Sequence, residues 1–179
     1  LQQVGARHDA DDLVAAHHRQ PLDVVVFHAQ HDLLKGGIFG AGDRLLRQLA
    51  HLLRQRIREH DTLARLGGDE FGILLDSCQL EPAQLLANDL VRLVNDFRFV
   101  WKERNFTIGA SIGLVSFGDG MESAASVLSA ADAACYAAKD KGRNRVLVYQ
   151  ADDNELSQRR NQMQWVTRLK QALDEDRFV

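Results

Sequence analysis

The stretch Arg65-Leu66-Gly67-Gly68-Asp69-Glu70-Phe71 constrains the fold more than any other part of this chain. Two adjacent glycines and two acids interrupt apolar runs, Thr62-Leu63-Ala64 before them and Phe71-Gly72-Ile73-Leu74-Leu75 after. Both flanks read as short strands, and the paired glycines tolerate the positive φ of a tight hairpin turn. Asp69 and Glu70 on such a turn could hold a divalent cation against a phosphate. Taken alone, the stretch equally describes an ordinary glycine turn with solvated acids, so its meaning depends on the rest of the chain.

Ahead of it, residues 1–20 read as a helix with a weak centre near His8-Asp9, closed by Pro21. Leu22 to Phe27 is nearly unbroken apolar with three valines, the mark of a central strand buried on both faces. A loop with Gly36, Gly37, Gly40 and Gly42 follows. Leu45, Leu46, Leu49, Leu52, Leu53 and Ile57 then recur at helical spacing and predict a helix from about Asp43 to Arg58. After the hairpin, Glu81-Pro82 opens a helix to about Val94. Phe97–Trp101 and Phe106–Phe117 read as strands joined by the charged turn Lys102-Glu103-Arg104-Asn105. Ser123–Lys141 reads as a helix stopped by Gly142, and Arg145–Tyr149 as a last strand.

The order βαββαββαβ predicts an α/β (α+β) fold, a mixed, mainly antiparallel sheet with flanking helices. Residues 1–150 form the expected domain. In residues 151–179, the stretch 153–176 reads as a polar helix on which Met163, Trp165, Val166, Leu169 and Leu173 form an apolar stripe. That segment reads as an outgoing helix towards a further domain or as a terminal helix docked on the core, and the two are compatible.

With 179 residues, 45% hydrophobic and 26% charged, the chain suits one domain with an appended element. A net charge of −3 gives no reason to expect nucleic acid as a partner, so any phosphate binding must be local. Cys78 and Cys135 stand far apart in apolar contexts and read as buried thiols of a reducing compartment. No apolar run approaches the roughly 18 residues of a membrane span. The chain starts at Leu1 and reads as a piece of something longer. The expectation is a cytoplasmic domain, compatible with a membrane-associated parent.

Two further segments accompany the hairpin: Gly42-Asp43-Arg44-Leu45-Leu46, and Ala131-Asp132-Ala133-Ala134-Cys135-Tyr136-Ala137-Ala138-Lys139 continuing to Gly142-Arg143-Asn144-Arg145-Val146. In this order and spacing the three segments resemble the GGDEF family, diguanylate cyclase domains that condense two GTP into cyclic di-GMP. The resemblance runs from about Leu22 to Tyr149 and implies a GGDEF/nucleotidyl-cyclase-like fold. It implies that Asp69 ligates Mg²⁺, with Glu70 as its catalytic neighbour. Asp43, Gly67, Gly68, Lys139 and Arg143 would bind nucleotide, Asp43 at the guanine edge. Lys139 and Arg143 would share the β/γ-phosphates if the helix reaches Arg143. Arg58 and Asp61 stand at the family's offset for an Arg-x-x-Asp inhibitory site that binds cyclic di-GMP. Each of these residues also has a plain reading, as a helix cap, a surface ion pair or a solvated face.

The resemblance breaks ahead of Gly42. Counting back, the family's metal aspartate falls on Val26 and its guanine-reading asparagine on Leu34. Mg²⁺ demands hard oxygen ligands in octahedral geometry, and a valine supplies none. His28, His31 and Asp32 are the nearby groups that could substitute. The expectation is a degenerate GGDEF domain with a regulatory role that binds cyclic di-GMP or GTP, has little or no cyclase activity and holds Mg²⁺ weakly. Its expected partner is a downstream EAL-like phosphodiesterase domain on the same chain, with a homodimer as a further expected assembly. Two alternatives stand beside it: an active cyclase with an altered metal site, and a purely structural dimerisation module.

Overall fold

The computed structural model describes residues 22–31, 41–117 and 123–150, and of residues 22–31 and Phe117 only the backbone. The expected helices over 1–20 and 153–176, with Leu34 and Asp32, lie outside the described residues. The elements follow the expected order: β1 (Leu22–His31), α1 (Ala41–Arg54), β2 (Thr62–Gly67), β3 (Glu70–Leu75), α2 (Leu80–Asp96), β4 (Arg98–Trp101), β5 (Arg104–Phe117), α3 (Ala124–Asp140) and β6 (Val146–Val148).

The strands form one sheet in the order β2-β3-β1-β5-β4, with β6 beside β5. β1 is central, antiparallel to β3 on one edge and to β5 on the other. Among the described residues, only β6 runs parallel to its neighbour, Ile112–Leu114 pairing with Val146–Val148. The sheet is therefore mixed and mainly antiparallel, as expected. Lys102 and Glu103, at φ 47° and 64°, join β4 to β5. A two-residue turn with both residues left-handed matches the twist of the paired strands, so β5 starts two residues earlier than its apolar pattern suggests.

Strand side chains alternate between faces, so each face of the sheet builds its own core. Phe71, Ile73 and Leu75 of β3 and Ile108, Ile112 and Leu114 of β5 pack with Leu45, Leu49 and Leu53 of α1 and Leu90 and Val94 of α2. Each fully buried leucine of α1 is worth about 2 kcal/mol. On the opposite face, Leu74 and Val115 meet Val127, Ala130, Ala131, Ala134 and Ala137 of α3. Alanines let α3 approach closely, and Gly113 of β5 lies beneath it. A Cβ at Gly113 would collide with the Ala131 carbonyl oxygen and stand 2.6 Å from the Cys135 nitrogen.

One helix end differs from expectation and another keeps its expected stop. α1 stops at Arg54, four residues before Arg58, and a turn tightened by the Arg56 N–H donating to the Leu53 carbonyl (3.0 Å) follows. α3 stops at Asp140. The Gly142 N–H donates to the Lys139 carbonyl and the Arg143 N–H to the Ala138 carbonyl, the Schellman pattern, with Gly142 at φ 108°. Gly142 is the expected stop, but Arg143 lies beyond it.

Candidate nucleotide site

The hairpin tip is built by a bulge. Arg65 pairs with Phe71 and Gly67 with Glu70, which leaves Leu66 as an extra residue. The Leu66 side chain lies over Gly72, 3.3 Å from where a Cβ would stand. Gly68 occupies the left-handed region at φ 47°, where an L side chain would be strained. The Arg65 guanidinium closes the turn by donating to the Gly68 carbonyl from Nε (3.0 Å) and Nη2 (2.8 Å). Asp69 and Glu70 thus leave a braced turn, both half-buried.

Glu70 opens β3, and across the sheet position 28 of β1 stands in register between Glu70 and Ser111 of β5. α3 covers this face and contributes Asp132, Cys135 and Lys139. Asp132 keeps an exposed side chain, yet the protein crowding it pushes its carboxyl up to about 6. The neighbouring Glu70 charge pushes in the same direction and Lys139 pulls the other way. Burial likewise raises the Cys135 thiol to about 11, and its Sγ donates to the Ser111 carbonyl at 3.2 Å. The Ser111 hydroxyl is fully buried and has no hydrogen-bond partner among the described residues.

The structure therefore brings Glu70 and Lys139 into one electrostatic neighbourhood and adds Asp132, to which the sequence alone assigns no role. The signal that could have found it is spacing, since seven residues from Lys139 is two helical turns on one face. Lys139 and Arg143 do not share a helix face: Lys139 is in the last turn of α3, and Arg143 follows the stop with φ 61°. The condition on which both would share the phosphates, a helix reaching Arg143, is not met, because the chain leaves the helix at Gly142. Asp43 is exposed in the first turn of α1, on the helix that packs against the other face of the sheet.

Val26, on which the count back from Gly42 places the family's metal aspartate, stands mid-sheet in register between Gly72 and Gly113. Among the described residues, no group of three or more His, Cys, Asp or Glu side chains is arranged to hold a metal ion. Two Mg²⁺ around a triphosphate need several hard oxygen ligands, and Asp69, Glu70 and Asp132 are the carboxylates that the hairpin and α3 offer among the described residues.

A second site lies past the end of α1. The Asp61 carboxylate is 5% exposed and accepts from the Arg58 N–H (2.8 Å) and the Asp76 N–H (3.2 Å). It therefore folds the Arg58–Asp61 turn and ties it to the end of β3. Between this turn and the start of α2 opens a cleft of about 130 Å³, lined by Arg56, Arg58, Asp61, Cys78, Pro82 and Leu86. No hydrogen bond or ion pair engages the Arg56 or Arg58 guanidinium among the described residues. Two guanidiniums unengaged among the described residues, beside an apolar wall, suit an anion with a flat ring attached. Arg56 lies outside the Arg-x-x-Asp pattern, so the sequence does not single it out.

The family model "Diguanylate cyclase, GGDEF domain" matches residues 38–145. The chain belongs to the GGDEF family. The matched span begins after Val26 and Leu34. "Probable diguanylate cyclase DgcE" of Escherichia coli (strain K12) is 43% identical over 150 residues, 84% of this chain and 13% of that protein. "Bifunctional diguanylate cyclase/cyclic di-GMP phosphodiesterase MucR" of Pseudomonas aeruginosa is 37% identical over 139 residues, 77% of this chain and 20% of that protein. The chain thus spans a fifth or less of these relatives' lengths. The solved GGDEF domain of DgcB from Caulobacter crescentus, in complex with c-di-GMP, has a TM-score of 0.65 and 26% identity, covering 72% of this chain and 78% of that one. This GGDEF chain is therefore a domain of cyclic di-GMP signalling. Among its described residues, no helix is long and apolar enough to cross a membrane.

Proposed function

We propose that this GGDEF domain binds nucleotide as a regulatory module and makes little or no cyclic di-GMP itself. The observation that carries the reading is the cleft beside Arg58 and Asp61, where two guanidiniums without partners among the described residues border an apolar wall. Cyclic di-GMP supplies the matching chemistry, a phosphodiester for the arginine forks and a purine for the wall. The solved relative with c-di-GMP bound and the bifunctional relative support this ligand and a phosphodiesterase domain on the same parent chain. In that arrangement residues 151–179 lead to the neighbour whose output the domain sets. Weak turnover follows from Val26, because a ligand position without oxygen leaves Mg²⁺ short of donors.

Titration calorimetry with cyclic di-GMP and with GTP tests the binding, and incubation with GTP and Mg²⁺ or Mn²⁺ tests the turnover. The expected outcome is heat with cyclic di-GMP, binding strongly weakened in Arg58→Ala, and little or no cyclic dinucleotide formed. Silence with both nucleotides would leave only a scaffold role.

A second reading, an active cyclase with an altered metal site, is favoured by the braced hairpin and by Glu70, Asp132 and Lys139 sharing one neighbourhood. It also draws on the cyclase names of its relatives. On this reading GTP lies against Asp69, Glu70, Lys139 and Arg143, and formation of cyclic di-GMP from GTP would establish it over the first.

A further inference from the structure

The arginines at positions 54, 56 and 58 differ in what they do. Arg56 and Arg58 line the cleft with their guanidiniums unengaged among the described residues, whereas Arg54 is committed to the backbone. Its Nη1 donates to the carbonyls of Arg58 (3.0 Å) and Asp61 (2.9 Å), and its Nη2 to the carbonyl of Glu59 (3.0 Å). Arg54 is the last residue of α1, so its cation also sits favourably at the negative end of the helix dipole. The turn from Arg58 to Asp61 is therefore held from two sides. Arg54 takes its outward carbonyls, and the Asp61 carboxylate takes the Arg58 and Asp76 N–H groups.

We propose that Arg54 is a positioning residue for the cleft: its fork holds the Arg58–Asp61 turn in the shape that presents Arg58 to an anionic ligand, without touching that ligand. The proposal rests on the reading of the cleft as a cyclic di-GMP site. Binding then requires little reordering of the turn, because the ordering is already present in the free chain. A planar guanidinium reaches three carbonyls through separate N–H groups. An ammonium is a single point and cannot span them, so lysine is not an equivalent here.

The experiment is calorimetry with cyclic di-GMP on the 179-residue chain and its Arg54→Met, Arg54→Lys, Arg58→Ala and Arg54→Met/Arg58→Ala variants, each with a melting curve. Arg54→Met is expected to weaken binding by about tenfold and Arg54→Lys by less, with melting temperatures within a few degrees of the wild type. Whatever binding survives Arg58→Ala should not fall further when Arg54→Met is added, because the brace acts through Arg58. Wild-type affinity in Arg54→Met, full rescue by lysine, or independent losses in the double variant would each overturn the proposal. If Arg54→Met does not fold, the lysine variant decides the matter alone. No heat from the wild-type chain sinks the reading of the cleft and the proposal with it. That outcome is distinct from a wild type that binds and an Arg54 variant that binds equally well.

Discussion

Asp132 joins Glu70 and Lys139 on one face of this domain by an electrostatic cost rather than by a contact the sequence announces. Its carboxyl rises from 3.8 to about 6 because the fold crowds it and because Glu70 stands near. A raised acid pKa means that, between about pH 4 and 6, the folded chain keeps a proton that the unfolded chain has released. Stability therefore falls as pH rises through that window, and the deficit persists above it. Asp132→Asn should melt higher than the wild type at about pH 8 and no differently below about pH 4, a comparison that two melting curves settle. Ser111 is a parallel case. A buried hydroxyl with no partner costs about 1–3 kcal/mol, so Ser111→Ala should hold or raise the melting temperature. Alternation along β5 tells which side Ser111 faces, but not whether its hydroxyl is satisfied. Only the packed helix above it fixes that.

At the scale of elements, most of the chain can be read from periodicity and turn chemistry. Gly68, the proline near the start of α2 and the glycine after α3 each stand where the backbone needs them, whereas Gly67 has no left-handed φ. The discrepancy at the end of α1 has a physical origin. Ile57 continues the leucine spacing and is 9% exposed, yet it lies in the turn beyond the helix and buries into the same core from there. Apolar spacing reports burial, not hydrogen bonding, and the two part company at Arg54. Gly113 is a tight junction between elements. Its missing Cβ lets the Ala131–Cys135 turn of α3 rest on β5. Gly113→Ala should displace α3 and cost about 3 kcal/mol, measurable by denaturant unfolding. Gly42, which has nothing within 4 Å of its Cβ position among the described residues, should by comparison accept alanine at little cost.

Across the whole molecule, the order of elements, the central place of β1 and the mainly antiparallel sheet are legible in the sequence, because each follows from local patterns and short connections. The two site regions are less so. Glu70 and Asp132 share a field only because α3 folds back over the sheet, and no local pattern announces that. The cleft likewise forms only where the turn after α1 meets the start of α2, with Asp61 bonded to the Asp76 N–H. That bond has a consequence for reading other chains. Because the Asp61 carboxylate folds its own turn, an aspartate at this place is useful to a domain that binds nothing there. A survey that scores such motifs by their acid would count well-made turns together with ligand sites. The arginine, which the turn needs only for its backbone, is the letter that discriminates.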